Sequence, residues 1–294
     1  MDLKKFLEDQ SLTSFPVGLG GCRTTNYFFT PCEYDLTVFD NKLEPPKIFS
    51  FDGIFLKVHH DTFKETKSDI LVKYDGMHII HDESWNLRMF LSKIKKKRLT
   101  LYKDYAKNCL FESLFCCEKT TEGIKTSNVF ASCWQKCASY YLADAICSLN
   151  LYRSNATHML DDMRKFEKNQ INEQMSVVTQ TIGIERATPS LLNRMLKSTI
   201  GFSDLVEKND HSKVIQQKHD LFVKNSMLSD CYFYLGYINR QNFVTIKDSI
   251  DHQSDLFHIL KVGFDIEADS NVLEYQAKLI KKSCNLVLHT LSDA

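Results

Sequence analysis

Proline placement constrains the fold of this chain more than any other feature. Four of its five prolines stand at 16, 31, 45 and 46, and the fifth is at 189. Proline lacks a backbone donor and clashes with the preceding helical turn, so it breaks helix interiors and is kept out of central strands. The front of the molecule therefore reads as turn-rich α/β, and the remainder is free to form long helices. Short strands are expected at Val17 to Leu19, Tyr34 to Phe39 and Ile54 to His60. Two more, Ile70 to Tyr74 and Met77 to Ile80, flank Asp75-Gly76, a dipeptide suited to a tight hairpin turn. From about Ser84 the apolar period becomes helical. Helices are expected from Trp85 to Ile94, Ser127 to Leu151, Ala156 to Val178, Pro189 to Thr199, Lys213 to Ile238 and Asn271 to Leu291. The expected organisation is an α/β (α+β) domain with a small mixed sheet over 1–120, then an all-α helical domain over 121–294. Thr120-Thr121-Glu122-Gly123 and the region near Lys97 are the weakest points between them.

Charge and cysteine usage narrow the setting. Lysine plus arginine equals aspartate plus glutamate, 37 of each, so no whole-molecule field attracts nucleic acid or an anionic membrane. No apolar run reaches the roughly 18 residues that a bilayer span requires. Residues 1–9 read as a short charged amphipathic helix rather than a signal peptide. These features predict a cytoplasmic protein without membrane partners. The ten cysteines have no regular disulfide spacing, which agrees with a reducing compartment and with thiols buried on helix faces. Cys133 and Cys137 lie one helical turn apart, but no second pair at ligand spacing accompanies them as a metal site needs.

One segment suggests a reaction. Gly18-Leu19-Gly20-Gly21-Cys22-Arg23 ends a short strand in a glycine turn, and ten positions beyond Arg23 comes Glu33-Tyr34-Asp35-Leu36. Strand alternation puts Glu33 and Asp35 on one face. Paired carboxylates repel unless a proton or cation sits between them, and oxygen ligands suit Mg²⁺. Glycines at a strand end admit close backbone approach, so their amides can cradle phosphate oxygens. Arg23 carries planar bidentate donors for the same purpose.

Together these residues resemble the signature of the nucleotidyltransferase superfamily related to DNA polymerase β, in a divergent archaeal or bacterial type with a C-terminal helical domain. That signature runs apolar, Gly, Gly or Ser, a gap, then acid, apolar, acid, apolar. The resemblance implies that Gly20, Gly21, Cys22 and Arg23 bind a nucleoside triphosphate, while Glu33 and Asp35 hold Mg²⁺ and catalyse transfer to an acceptor it leaves open. The family's serine is Cys22 here, and its first aspartate is Glu33. A third acid is expected on the strand Ile54 to His60, where Lys57 occupies the matching position. Asp52, before that strand, and Asp61, just past it, are the substitutes. An alternative register pairs Asp35 with Thr37 and leaves only one acid. Three functions remain open: nucleotidyl transfer, an inert relative that binds nucleotide or a protein partner, and a helical interaction protein with no nucleotide site.

Other features have plainer readings. His59-His60-Asp61 reads as a polar strand end, since neighbouring strand residues face opposite ways; only His59 with Asp61 shares a side. Lys93, Lys95, Lys96, Lys97 and Arg98 read as a solvated helix end rather than a nucleic-acid contact, although Tyr102 and Tyr105 follow closely. Trp134, Tyr140 and Tyr141 read as helical core. The aromatic stretch Cys231 to Tyr237 reads as a buried helix in which Gly236 permits close packing.

Overall fold

The computed structural model describes residues 2–42, 44–51, 53–153, 155–207, 210–266 and 269–292. The chain divides into two compact units, Met1–Tyr105 and Ala106–Ala294. A small mixed sheet dominates the first and helices fill the second, so the fold class is α+β followed by all-α.

In the first unit, α1 (Leu3–Asp9) starts on Asp2, whose carboxylate accepts the amides of Lys4 and Lys5 at 3.0 and 3.3 Å. The strands are β1 (Val17–Gly20), β2 (Tyr34–Val38), β3 (Lys47–Phe51), β4 (Ile54–His60) and β5 (His78–His81), in the order β3-β4-β2-β1-β5. β2 runs antiparallel to β1 and parallel to β4. Val17, Leu19, Leu36, Val38, Leu56 and Val58 turn to one face and pack with Phe6 and Leu7 of α1. The alternating positions Gly18, Gly20, Asp35, Thr37, Lys57 and His59 are in register with one another on the other face. One face is thus core, and the other carries Asp35, Lys57 and His59 beside buried Thr37 and Phe55.

Two expectations about this sheet are corrected. Residues 70–74 are not a strand: α2 (Ser68–Leu71) passes into a 3₁₀ turn over Val72–Tyr74. β5 pairs with β1, two strands away from β4 in the sheet, so the chain needs a crossover here rather than a hairpin. Gly76, at φ 71°, turns that crossover into β5. Asp75 holds the corner, its carboxylate accepting from Arg98 Nε at 2.7 Å and the Tyr102 hydroxyl at 3.1 Å. The sequence reading also misses β3, which pairs antiparallel with β4 and closes the sheet edge.

Helix α3 (Asn86–Lys96) is capped from a distance by Asp82, which accepts the amides of Leu87 and Arg88 at 3.3 and 2.9 Å. The division between the units falls within α4 (Arg98–Thr126). Thr120 to Gly123, which has a linker's composition, is therefore helical. The Thr120 and Thr121 hydroxyls donate to the carbonyls of Cys116 and Cys117, four residues back, at 2.8 and 3.0 Å.

The second unit continues with α5 (Ala131–Leu149), α6 (Met159–Arg164), α7 (Met175–Ile182), α8 (Pro189–Glu207), α9 (His211–Lys224), α10 (Leu228–Thr245), α11 (Leu256–Gly263) and α12 (Ser270–Ser292). Two expected long helices are broken by short polar residues. The Asn169 side chain takes the amides of Ile171 and Asn172 between α6 and α7, at 3.0 and 2.8 Å. Ser226 adopts φ 58° between α9 and α10, just after Asn225 donates its side-chain amide to the Leu221 carbonyl.

α5 and α10 are buried on nearly every face. Tyr140 packs edge-on against Phe233 and Tyr237, with ring centroids 5.2 and 5.8 Å apart. Gly236 gives the Tyr140 hydroxyl its space, since any side chain there would overlap it. Buried Asp144 accepts from the Tyr237 hydroxyl at 2.7 Å and from Arg240, whose guanidinium lies over the Tyr141 and Tyr237 rings. Buried Lys136 donates to the Ile182 carbonyl at 2.7 Å, which satisfies the end of α7.

Two stability outcomes follow from this core. For Gly236→Ala, the helix-propensity gain of about 1 kcal/mol is outweighed by overpacking of about 1–3 kcal/mol. Urea unfolding should therefore show a net loss. Arg240→Leu leaves the Asp144 carboxylate buried without its cation, and the unfolding free energy should fall by about 3–5 kcal/mol.

Candidate functional site

The glycine turn and the acid strand meet through strand register. Gly20 lies opposite Asp35 across the β1–β2 pair. Gly21 then takes φ 71° and ψ −173° and leads into a 3₁₀ turn over Cys22–Thr24. A side chain at position 21 would be strained at that φ and would overlap the Asp35 carboxylate. Glycine is thus required here for both reasons, and the acid sits directly against the turn. Glu33 lies one residue ahead of β2 and is half-buried.

On the next strand, Lys57 is the register partner of Asp35. His59 Nε2 lies 3.9 Å from Asp35 Oδ1, with 39% of the His59 side chain and 29% of the Asp35 side chain exposed, so a ligand can reach the pair. Partial burial of the ring holds the His59 pKa below its usual 6.5; the nearby Asp35 carboxylate opposes that shift, while the charges of Lys57 and Lys73 add to it. Lys73 comes from the 3₁₀ turn that replaces the expected strand, and its carbonyl lies over Gly20. Asp35 therefore faces Lys57 and His59 across β4, with the charge of Lys73 also felt at His59.

Asp61, one of the two expected substitutes for the third metal ligand, does not join this group. Asp61 is four strand positions beyond the partner of Asp35, roughly 13 Å along β4 at ~3.3 Å per residue. Its carboxylate accepts from the Tyr74 hydroxyl and from the Thr62 amide, the latter at 2.7 Å. Asp61 thus secures the far end of the sheet. Asp52 lies outside the described residues. Among the described residues a lysine, not an acid, stands at the third position of the converging oxygen set that a Mg²⁺ clamp requires.

Arg23 is engaged in its own loop. Its Nε donates to the Cys32 carbonyl at 2.9 Å, and one terminal nitrogen donates to the Cys32 and Thr30 carbonyls at 2.8 and 2.9 Å. The guanidinium also lies 4.4 Å from the Phe28 ring centroid and 4.6 Å from that of Tyr34. Arg23 therefore closes the loop between the turn and β2. Cys22, beside it, is half-buried.

The remaining candidates separate cleanly. His60 faces away from His59 and pairs with Asp40 at 2.9 Å. Lys93, Lys95, Lys96 and Lys97 are exposed, whereas Arg98 bonds to Asp75. Trp134 and Tyr140 belong to the helical core. The sequence reading missed Lys73 because it placed residues 70–74 in a strand; a helical start at Asp69 was the available signal.

No family model and no curated protein sequence matches this chain. No helix among the described residues is long and apolar enough to cross a membrane.

The His59 environment has a measurable pH consequence. A histidine whose folded pKa is depressed stabilises the fold fully above the unfolded value and loses that contribution as pH falls through the folded one. His59→Gln should flatten the decline of the urea midpoint below about pH 6.5. Solvent exposure keeps the effect small.

Proposed function

We propose that residues 1–105 form a nucleotidyltransferase-type domain that binds a nucleoside triphosphate without metal-assisted transfer. The observation that carries this reading is the pairing of Asp35 with Gly20 on one side and Lys57 on the other. The first pairing supports the reading, because the superfamily signature sets a glycine turn against an acid strand. The second puts an ammonium where a third metal-binding carboxylate is needed. A lysine on the strand beside Asp35 opposes a divalent cation and attracts phosphate oxygens. Lys73 adds positive charge. Asp35 is then a positioning group, held against the turn and His59, rather than half of a metal clamp.

Calorimetry with ATP, GTP, CTP and UTP tests this reading. Binding should persist in EDTA. Replacing Lys57 by Gln should weaken it by about 10- to 100-fold, the value of a charge-assisted hydrogen bond of ~1.5–3 kcal/mol. Binding that requires Mg²⁺ and is lost in Asp35→Ala would instead establish the transferase reading. Absence of binding to all four nucleotides would leave an interaction protein with no nucleotide site.

A further inference from the structure

The loop between the glycine turn and β2 carries a thiol at each end. Cys22 follows Gly21, Cys32 precedes Glu33, and their sulfurs lie within 4.8 Å of each other. A χ1 rotation between staggered wells moves a sulfur by enough to change such a separation. Arg23 already ties the two ends through its bonds to the Cys32 carbonyl. The two thiols differ in access: Cys22 is half-buried, while Cys32 is 2% exposed.

The other eight cysteines are all buried. Burial pushes the thiols of Cys116, Cys133, Cys137 and Cys147 far up, and that of Cys284 up to about 11. A thiol without thiolate character is a poor nucleophile. Cys22 is the one cysteine whose residue is not fully buried, and the sulfur of Cys32 lies within 4.8 Å of its own.

We propose that Cys22 and Cys32 form a reversible intrachain disulfide when the protein meets a hydroperoxide. The Cys22 thiolate attacks one peroxide oxygen, the O–O bond breaks, and the departing hydroxide takes a proton to become water. This leaves a sulfenic acid on Cys22. Cys32, held beside that sulfur, gives up its thiol proton as it attacks; the S–O bond breaks, and the departing hydroxide takes the proton to become a second water. In sum, two thiols and one hydrogen peroxide give one disulfide and two waters: the sulfurs are oxidised and the peroxide is reduced. A dithiol reductant returns both cysteines by exchange. The crosslink latches the loop over residues 22–32 in its observed closure. This chemistry does not depend on nucleotide binding.

The test uses the full chain, treated with hydrogen peroxide, alkylated, digested without reductant and analysed by mass spectrometry. The expected product joins the Cys22 and Cys32 peptides, is lighter than their sum by two hydrogens, and disappears with dithiothreitol. It should exceed every other linked pair at least tenfold, and it should be missing in Cys22→Ser and Cys32→Ser proteins whose circular dichroism matches the parent. Alkylation of both cysteines after peroxide treatment would overturn the proposal, as would sulfinic acid on Cys22 without a crosslink. A zinc ion carried by the untreated chain and lost in Cys22→Ser would also overturn it, because the sulfurs would then be metal ligands.

Discussion

The register of β2 is the constraint on which the first unit depends. Leu36 and Val38 are fully buried, and strand alternation sends Asp35 and Thr37 to the opposite face. A slip of one residue would put the aspartate into a core lined by Phe6, Leu7, Leu19 and Val58, where an unpaired carboxylate is strongly disfavoured. The apolar positions thus hold the acid in place against Gly20. Packing energy on one face of the sheet sets the chemistry of the other.

That chemistry is dominated by nitrogen rather than oxygen. Asp35 has Lys57 as its neighbour in register and His59 at 3.9 Å, and the charge of Lys73 is felt at the same imidazole. Three carboxylates elsewhere in the unit are occupied structurally: Asp61 with Tyr74, Asp75 with Arg98, and Asp40 with His60. The proposed preference for a polyanion over a divalent cation rests on this balance. Arg23, which the signature would assign to phosphate, holds the Cys32 and Thr30 carbonyls. A guanidinium that satisfies backbone acceptors and stacks on Phe28 and Tyr34 fixes the loop's shape.

The helical unit solves a different problem. α5 and α10 are surrounded on almost all sides, so their polar residues must find partners inside. Asp144 with Arg240 and Tyr237, and Lys136 with the end of α7, meet that need. Gly236 lets a tyrosine hydroxyl approach the α10 backbone. These contacts join residues about a hundred positions apart or less, such as 144 and 240, and they reward one arrangement of the helices over others.

Much of this was legible in the amino-acid order. Proline spacing separated the sheet region from the helices, alternation located β1, β2 and β4, and the glycine turn with its acid strand marked the candidate site. The same order identified Lys57 as the residue in the third-acid position, because strand phase is a local property. It misassigned residues 70–74, and it missed the breaks at Asn169 and Ser226, because local pattern does not say which sheet edge a segment must reach or which side chain will intercept a helix. Neither the partnership of Asp35 with His59 nor the engagement of Arg23 with its own loop was visible, since both depend on atoms brought together through space. Sequence alone determined the class of fold and the location of the candidate site. The tertiary structure decided its character, because charge balance at a site is a sum over neighbours that only folding defines.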